Sequence, residues 1–252
     1  GTYYIPELPD RAAAGKEIKV GVIGCGGRGS GAVDNVFEAS DNIKITALAD
    51  VFADRLNGLR DKIKNKYNQE VPEANCFVGF ESYKQLLDTD VDYVIFTAPP
   101  VFRPDHFKYA VEKNKHCFLE KPIAVDPKGY RTIMASAKQA QAKNLVVICG
   151  TQRHHERPYV AAFEKISQGM IGEITGGNVY WNQSMLWYRN REKGWSDMEW
   201  MIRDWVNWKW LSGDHICEQH VHNIDVFLWM SGLKVKSATA FGSRQRRITG
   251  DQ

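Results

Sequence analysis

The chain has 252 residues, 43% hydrophobic, 25% charged and 12% aromatic, an ordinary globular composition that excludes wholesale disorder and suffices for one large domain or two small ones. Thirty-three Lys+Arg against thirty Asp+Glu leave a net charge of +3, too weak and too dispersed for a nucleic-acid footprint. Apolar runs such as 91–100 fall far short of the roughly 18–20 residues a membrane span needs, and the chain as given shows no secretory h-region.

Residues 1–17 hold two prolines, small residues and charges without periodicity, and read as an extended arm. From Ile18 strands and helices alternate. Strands are expected at Ile18–Ile23, 43–49, Cys76–Val78, 91–97, His116–Leu119 and 145–149. Helices are expected at 31–40, 52–67, Ser82–Leu87, 104–113 and 127–143, the last opened by Pro127 at its first turn. Apolar strands separated by amphipathic helices predict a doubly wound parallel sheet covered on both faces, a Rossmann-type α/β domain over 18–150. All eight tryptophans fall between 181 and 229, a shift in texture that marks a second domain over 151–252. There a helix is expected at 158–168, a strand at 174–182, an aromatic, Arg-rich stretch to Leu211, a helix at 214–231 and a strand at 235–244. Two strands make no stable sheet unaided, so this domain reads as incomplete, through truncation or completion by another subunit. Five cysteines without a CxxC pair predict no disulfide framework, and Cys25, Cys117 and Cys149 read as small hydrophobes.

Three motifs close strands of the first domain. Gly24-Cys25-Gly26-Gly27-Arg28-Gly29 is a GxGxxG between a strand and a helix. Gly24 permits the tight turn, Gly26 admits a pyrophosphate against the backbone, Gly29 lets helix and strand pack closely, and the helix N-terminus receives the phosphate charge. Asp50 ends the second strand 21 residues past Gly29, where a carboxylate binds adenosine ribose hydroxyls and repels a 2′-phosphate, so NAD is expected rather than NADP. Thr97-Ala98-Pro99-Pro100 runs along the cofactor crevice at the end of the fourth strand, followed by His106, which either meets the cofactor or packs its own helix. Glu120-Lys121-Pro122 ends the fifth strand. Lys121 there is expected beside a nicotinamide, where an ammonium stabilises a developing alkoxide; a surface salt bridge to Glu120 is the bland alternative.

These motifs, with Gly213 and Val221-His222-Asn223-Ile224-Asp225, resemble the glucose–fructose oxidoreductase / inositol dehydrogenase / MocA family of NAD(P)-dependent oxidoreductases. The resemblance runs from about Ile18 to the C-terminus. It implies a Rossmann domain followed by an α/β domain with a large, open, mostly antiparallel sheet. That second domain is expected to carry the substrate pocket and a homo-oligomer interface. The implied chemistry is reversible oxidation of a secondary alcohol on a sugar, cyclitol or glycoside. Some relatives are exported through the twin-arginine route, so the protein is expected in the cytoplasm as given, or in the periplasm if a signal preceded residue 1.

At 100° per residue, His215, Glu218, His222 and Asp225 lie within an arc of about 80°, while His220 falls on the apolar side. By resemblance His222 is the acid/base, and Glu218 stands where relatives have an assisting aspartate. Asp214 and His215 replace small residues and are expected to meet substrate. His222 then removes the hydroxyl proton as hydride leaves for the ring, while Lys121 stabilises the charge. Glu218 and Asp225 are expected to orient the imidazole or to stabilise its protonated form. A rival reading makes His215, Glu218 and His222 metal ligands, but HExxH is absent and no metal is expected. Gln152 is a candidate cofactor contact and Arg153 a candidate substrate contact, with a solvated hinge as the alternative. Trp187 and Arg203 belong to a segment suited to stacking on sugars, and the arginines at 244–247 read as a solvated turn. A different activity is also open: glycoside cleavage by transient C3 oxidation and elimination, with Asp214, His215 or Glu218 as the extra base. A non-catalytic cofactor-binding protein is disfavoured by the presence of both Lys121 and His222.

Overall fold

The computed structural model describes residues 15–243; residues 1–14 of the expected arm and the arginines at 244–247 lie outside them. The described chain divides after Gly150 into two units.

The first unit is built on six parallel strands, β1 (Ile18–Ile23), β2 (Ile43–Asp50), β3 (Cys76–Val78), β4 (Tyr93–Phe96), β5 (His116–Leu119) and β6 (Val147–Cys149), in the order β3-β2-β1-β4-β5-β6. The order reverses between β1 and β4, and a crevice opens at the carboxyl ends of strands at such a point. Helices α1 (Gly27–Ala39) and α2 (Ala53–Tyr67) supply one layer, with Ala32, Val33, Leu56, Leu59 and Ile63 packed against Val20, Val22, Ile45, Leu48 and Ile95. Helices α3 (Ser82–Leu87), α4 (Arg103–Glu112) and α5 (Pro127–Ala142) supply the other, packing Leu86, Phe107, Val111 and Ile133 on Ile23, Val94, Phe96 and Leu119. Each buried aliphatic or aromatic side chain contributes about 1.5–3 kcal/mol over its exposed state. Cys117 is wholly buried and burial pushes its thiol up to about 12, so it stays protonated and packs as a small apolar group.

The two-residue alternation of β2 is interrupted. Val20 pairs with Ile45 and Gly21 with Ala47, leaving Thr46 as a bulge. Ile45 and Leu48 therefore share one layer, while Ala47 and Ala49 face the other.

The second unit holds α6 (Arg157–Ser167), α7 (Asp197–Arg203), α8 (Lys209–Ser212) and α9 (Val221–Ser231). The Ser196 side chain caps α7 by accepting from the Glu199 amide at 3.1 Å. Ile202, Val206 and Leu211 are buried beside Asp204, whose Oδ1 accepts from the Arg189 amide at 2.7 Å and from Asn207 Nδ2 at 2.9 Å. Two expectations change. The segments expected as strands at 174–182 and 235–244 show no strand over their described residues, because an extended segment needs a neighbour's ladder and none pairs with them among the described residues; the antiparallel sheet is not seen there. The helix expected over 214–231 is interrupted by a π-helical turn at Ile216–His220.

Candidate active site

The glycine turn shows two kinds of glycine. Gly24 follows β1 at φ +96°, and a Cβ on it would stand 2.3 Å from the Ala98 nitrogen. A Cβ on Gly29 would lie 2.0 Å from the Gly24 carbonyl oxygen. Both are dictated by protein against protein. Cβ atoms on Gly26 and Gly27 would meet nothing within 4 Å: these two face open space, as a backbone that receives a diphosphate must. Helix α1 begins at Gly27, four residues before the apolar periodicity suggests, so its first amides belong to the motif itself. Thr97 fastens the turn, its Oγ1 donating to the Gly24 carbonyl at 2.6 Å and its amide to Ile23 at 2.9 Å.

Asp50 stands at the end of β2 with Oδ2 accepting from the Cys25 amide at 2.6 Å and Oδ1 from the Phe52 amide at 2.8 Å. Burial raises its pKa, and the two amides oppose that rise. One lone pair of each oxygen is thus engaged, which leaves acceptor capacity for hydroxyl donors.

Glu120 closes β5 almost completely buried. Its Oε1 accepts from Arg28 Nε at 2.5 Å, and its Oε2 from the Lys121 amide at 3.1 Å. Glu120 thus has a charged partner in Arg28, on the glycine turn. Arg103, also buried, donates through Nη1 to the Pro122 carbonyl and through Nη2 to the Ala98 carbonyl at 2.7 Å, tying the Thr97–Pro100 loop to the Glu120–Pro122 loop. No pattern in the sequence points to Arg103, because its partners are main-chain carbonyls. Pro99 is half-buried in the first of these loops. His106 is a packing residue: it is buried, stacked on Tyr83 with ring centroids 4.3 Å apart, and burial lowers its pKa to about 3, so the ring is neutral.

In the second unit His222 is buried on α9, its ring stacked on Trp181 at 5.5 Å, and Glu218 is buried in the π turn. Asp225 Oδ2 pairs with His154 Nε2 at 2.7 Å. The π turn at Ile216–His220 winds wider than an α-helix, which offsets His215 and Glu218 from the 100° wheel relative to His222 and Asp225, both of which lie in α9. Arg153 donates to Asn223 Oδ1 and lies between Tyr159 and Trp181, with its guanidinium carbon 5.2 and 5.5 Å from their ring centroids. Gln152 is exposed beside it. Trp181, on the coil before the aromatic stretch, is the residue missed here.

Asp214 takes φ +69° and its Oδ1 accepts from the His215 amide at 2.6 Å. His215 is half-buried. Trp187 is half-exposed, edge-on to Trp205. Arg203 is occupied internally: it pairs with Glu199 at 2.9 Å and stacks on Trp195, which speaks against a substrate contact. Among the described residues no group of three His, Cys, Asp or Glu side chains is placed to hold a metal, and no helix is long and apolar enough to cross a membrane.

Over 234 residues the chain is 26% identical to an inositol 2-dehydrogenase of Salmonella typhimurium, covering 92% of this chain and 60% of that protein. It is 28% identical over 172 residues to a glycosyl hydrolase family 109 protein of Shewanella pealeana, covering 68% of this chain and 36% of that protein. The chain thus spans 60% and 36% of these two relatives, in each case less than two thirds. Among solved structures it is similar in fold to scyllo-inositol dehydrogenase from Lactobacillus casei with bound NAD(H) and scyllo-inositol, at TM-score 0.61 and 23% identity, covering 86% of this chain and 57% of that one. The oxidoreductase family with an NAD-binding Rossmann fold matches residues 18–149, and it is to this family, the one its motifs resemble, that the chain belongs.

Proposed function

We propose that the protein is an NAD-dependent oxidoreductase acting on a secondary alcohol of a sugar, cyclitol or glycoside. The observation that carries this is the glycine turn, tight at Gly24 and Gly29 and open at Gly26 and Gly27, with Glu120-Lys121-Pro122 at the end of β5. The Asp50 carboxylate at the end of β2 favours NAD over NADP by repelling a 2′-phosphate. NAD, when bound, accepts the hydride from the carbinol carbon. Lys121 hydrogen-bonds the alcohol oxygen and stabilises the charge that grows on it. His222 takes the hydroxyl proton and returns it in the reverse direction, a role an imidazole suits near neutral pH. Trp181 holds the His222 ring through their stacked contact. The carbohydrate site and self-association belong in this reading to the unit after Gly150.

A second reading, glycoside cleavage, is favoured by the similarity to glycosyl hydrolase family 109 proteins. In it, oxidation at C3 acidifies the C2 proton, a base removes that proton, the C1 leaving group departs, water adds to the alkene, and the C3 ketone regains its hydride.

Incubation of the protein with NAD and a panel of cyclitols, monosaccharides and aryl glycosides, following nicotinamide absorbance and released sugar together, separates the two. NADH accumulation supports the first reading; sugar release with no net NADH supports the second; neither, across the panel, overturns both. Lys121→Ala and His222→Ala are expected to bind NADH like the parent and to lose turnover at least about 100-fold; parental turnover in either removes that residue from the chemistry.

A further inference from the structure

We propose that Arg28 is a positioning residue that couples occupancy of the diphosphate cradle to the setting of Lys121, through Glu120. The inference rests on the nucleotide-binding reading above and extends it.

Arg28 sits in the first turn of α1, on the glycine motif, with its side chain 48% exposed. Its Nε is held by Glu120, a side chain 11% exposed and 92 residues further along the chain. The carboxylate is divided between two tasks: Oε1 receives the guanidinium and Oε2 the main-chain N–H of Lys121. It lies close against the main chain at Gly150, where a Cβ would stand 3.0 Å from Oε2, and the absence of that Cβ leaves it space to shift.

A diphosphate entering beside Gly26 and Gly27 arrives on the turn that carries Arg28. Through Nε the guanidinium is committed to Glu120, while its two terminal nitrogens retain further donors for an anion. The anion draws the guanidinium, the guanidinium draws on Oε1, and Oε2 moves with it because the two oxygens share one rigid group. The Lys121 amide, and the lysine it carries, therefore change their setting when the phosphate site fills. Without Arg28, Glu120 keeps a buried charge without this counter-ion and the link is cut.

ADP-ribose is the probe, since it carries the diphosphate and lacks the nicotinamide. Lysines are labelled by reductive ¹³C-methylation and the Lys121 signal is assigned with Lys121→Arg. In the parent, saturating ADP-ribose is expected to shift that signal. In Arg28→Ala and Glu120→Gln, each saturated with ADP-ribose as judged by calorimetry and shown folded by circular dichroism, the shift falls to less than a fifth. Arg28→Lys, which keeps the charge but not the fork, retains a partial shift. A full shift in saturated Arg28→Ala overturns the coupling, as does an unmoved signal in the saturated parent. Failure of the parent to bind ADP-ribose overturns the nucleotide reading and the coupling with it. Kinetics add an independent readout: at saturating NAD, Arg28→Ala is expected to lower kcat at least tenfold, and a variant changed only in the KM for NAD marks Arg28 as a phosphate ligand without a positioning role.

Discussion

Gly27 and Gly29 are two residues apart and bear opposite constraints. A methyl group at 29 collides with the Gly24 carbonyl, and one at 27 meets only space. Gly29→Ala is expected to cost about 1–3 kcal/mol through overpacking. Gly27→Ala is expected to hold or raise stability by up to about 1 kcal/mol, since alanine favours the helix, while weakening NADH at least tenfold by filling the ligand's space. Thermal melts and a fluorescence titration of each variant check both effects. His106 supplies a pH prediction. Its pKa is lowered to about 3 by burial, so the folded protein holds it neutral while the unfolded chain binds a proton below about 6.5. Stability is therefore unaffected above that pH and falls as the pH drops toward 3, by about 1.4 kcal/mol per unit. Denaturant unfolding at pH 7 and 4.5 is expected to show His106→Phe losing about 2–3 kcal/mol less than the parent over that interval. The glycine turn and Asp50 were legible because their spacing is local. The Arg28–Glu120 pair was not, because 92 residues separate partners that meet only when β1 and β5 enter one sheet.

Secondary-structure elements were legible where side-chain rhythm and backbone pairing are decided together. All six strands of the first unit lie where β-branched and apolar runs stand between turn signals. Helix α1 extends earlier than its periodicity because packing at Gly29 overrides the low helix preference of glycine. The π turn at Ile216–His220 escaped a wheel drawn at one fixed angle, and the pairing of Asp225 with His154, 71 residues apart, has no local signature. Arg103 joins two loops through carbonyls that have no side-chain signature. Arg103→Met is expected to lower stability by about 2–4 kcal/mol, the worth of its two charge-assisted hydrogen bonds, and to weaken NADH as the Thr97–Pro100 and Glu120–Pro122 loops lose their tie. A shifted denaturant midpoint at unchanged slope measures the first effect.

At the scale of the molecule, the first unit covers both faces of its sheet from within residues 15–150, with one apolar cluster on each side. A fragment of residues 15–150 is expected to unfold cooperatively and to bind NADH within about tenfold of the full chain, as the cradle, Asp50 and Glu120 all lie inside it; a molten, non-binding fragment contradicts this. Among its described residues the second unit buries far fewer large apolar side chains, and Tyr180, Val235 and Phe241 are exposed. Its helices α6 and α9 were legible, whereas α7 and α8 lie in the stretch read only as aromatic and Arg-rich; its expected strands are not realised among the described residues, since a strand is a property of a pair.

The unpaired Thr46 in β2 reaches further than its own position. Beyond it every side chain of the strand changes sides, and the last of them is Asp50. Were the strand to keep strict alternation from Ile45, that carboxylate would turn away from the Cys25 amide and toward the opposite helical layer. In the proposed reading, selection between NAD and NADP thus hangs on parity: one residue gained or lost a few positions before Asp50 reverses it while leaving every glycine of the turn untouched.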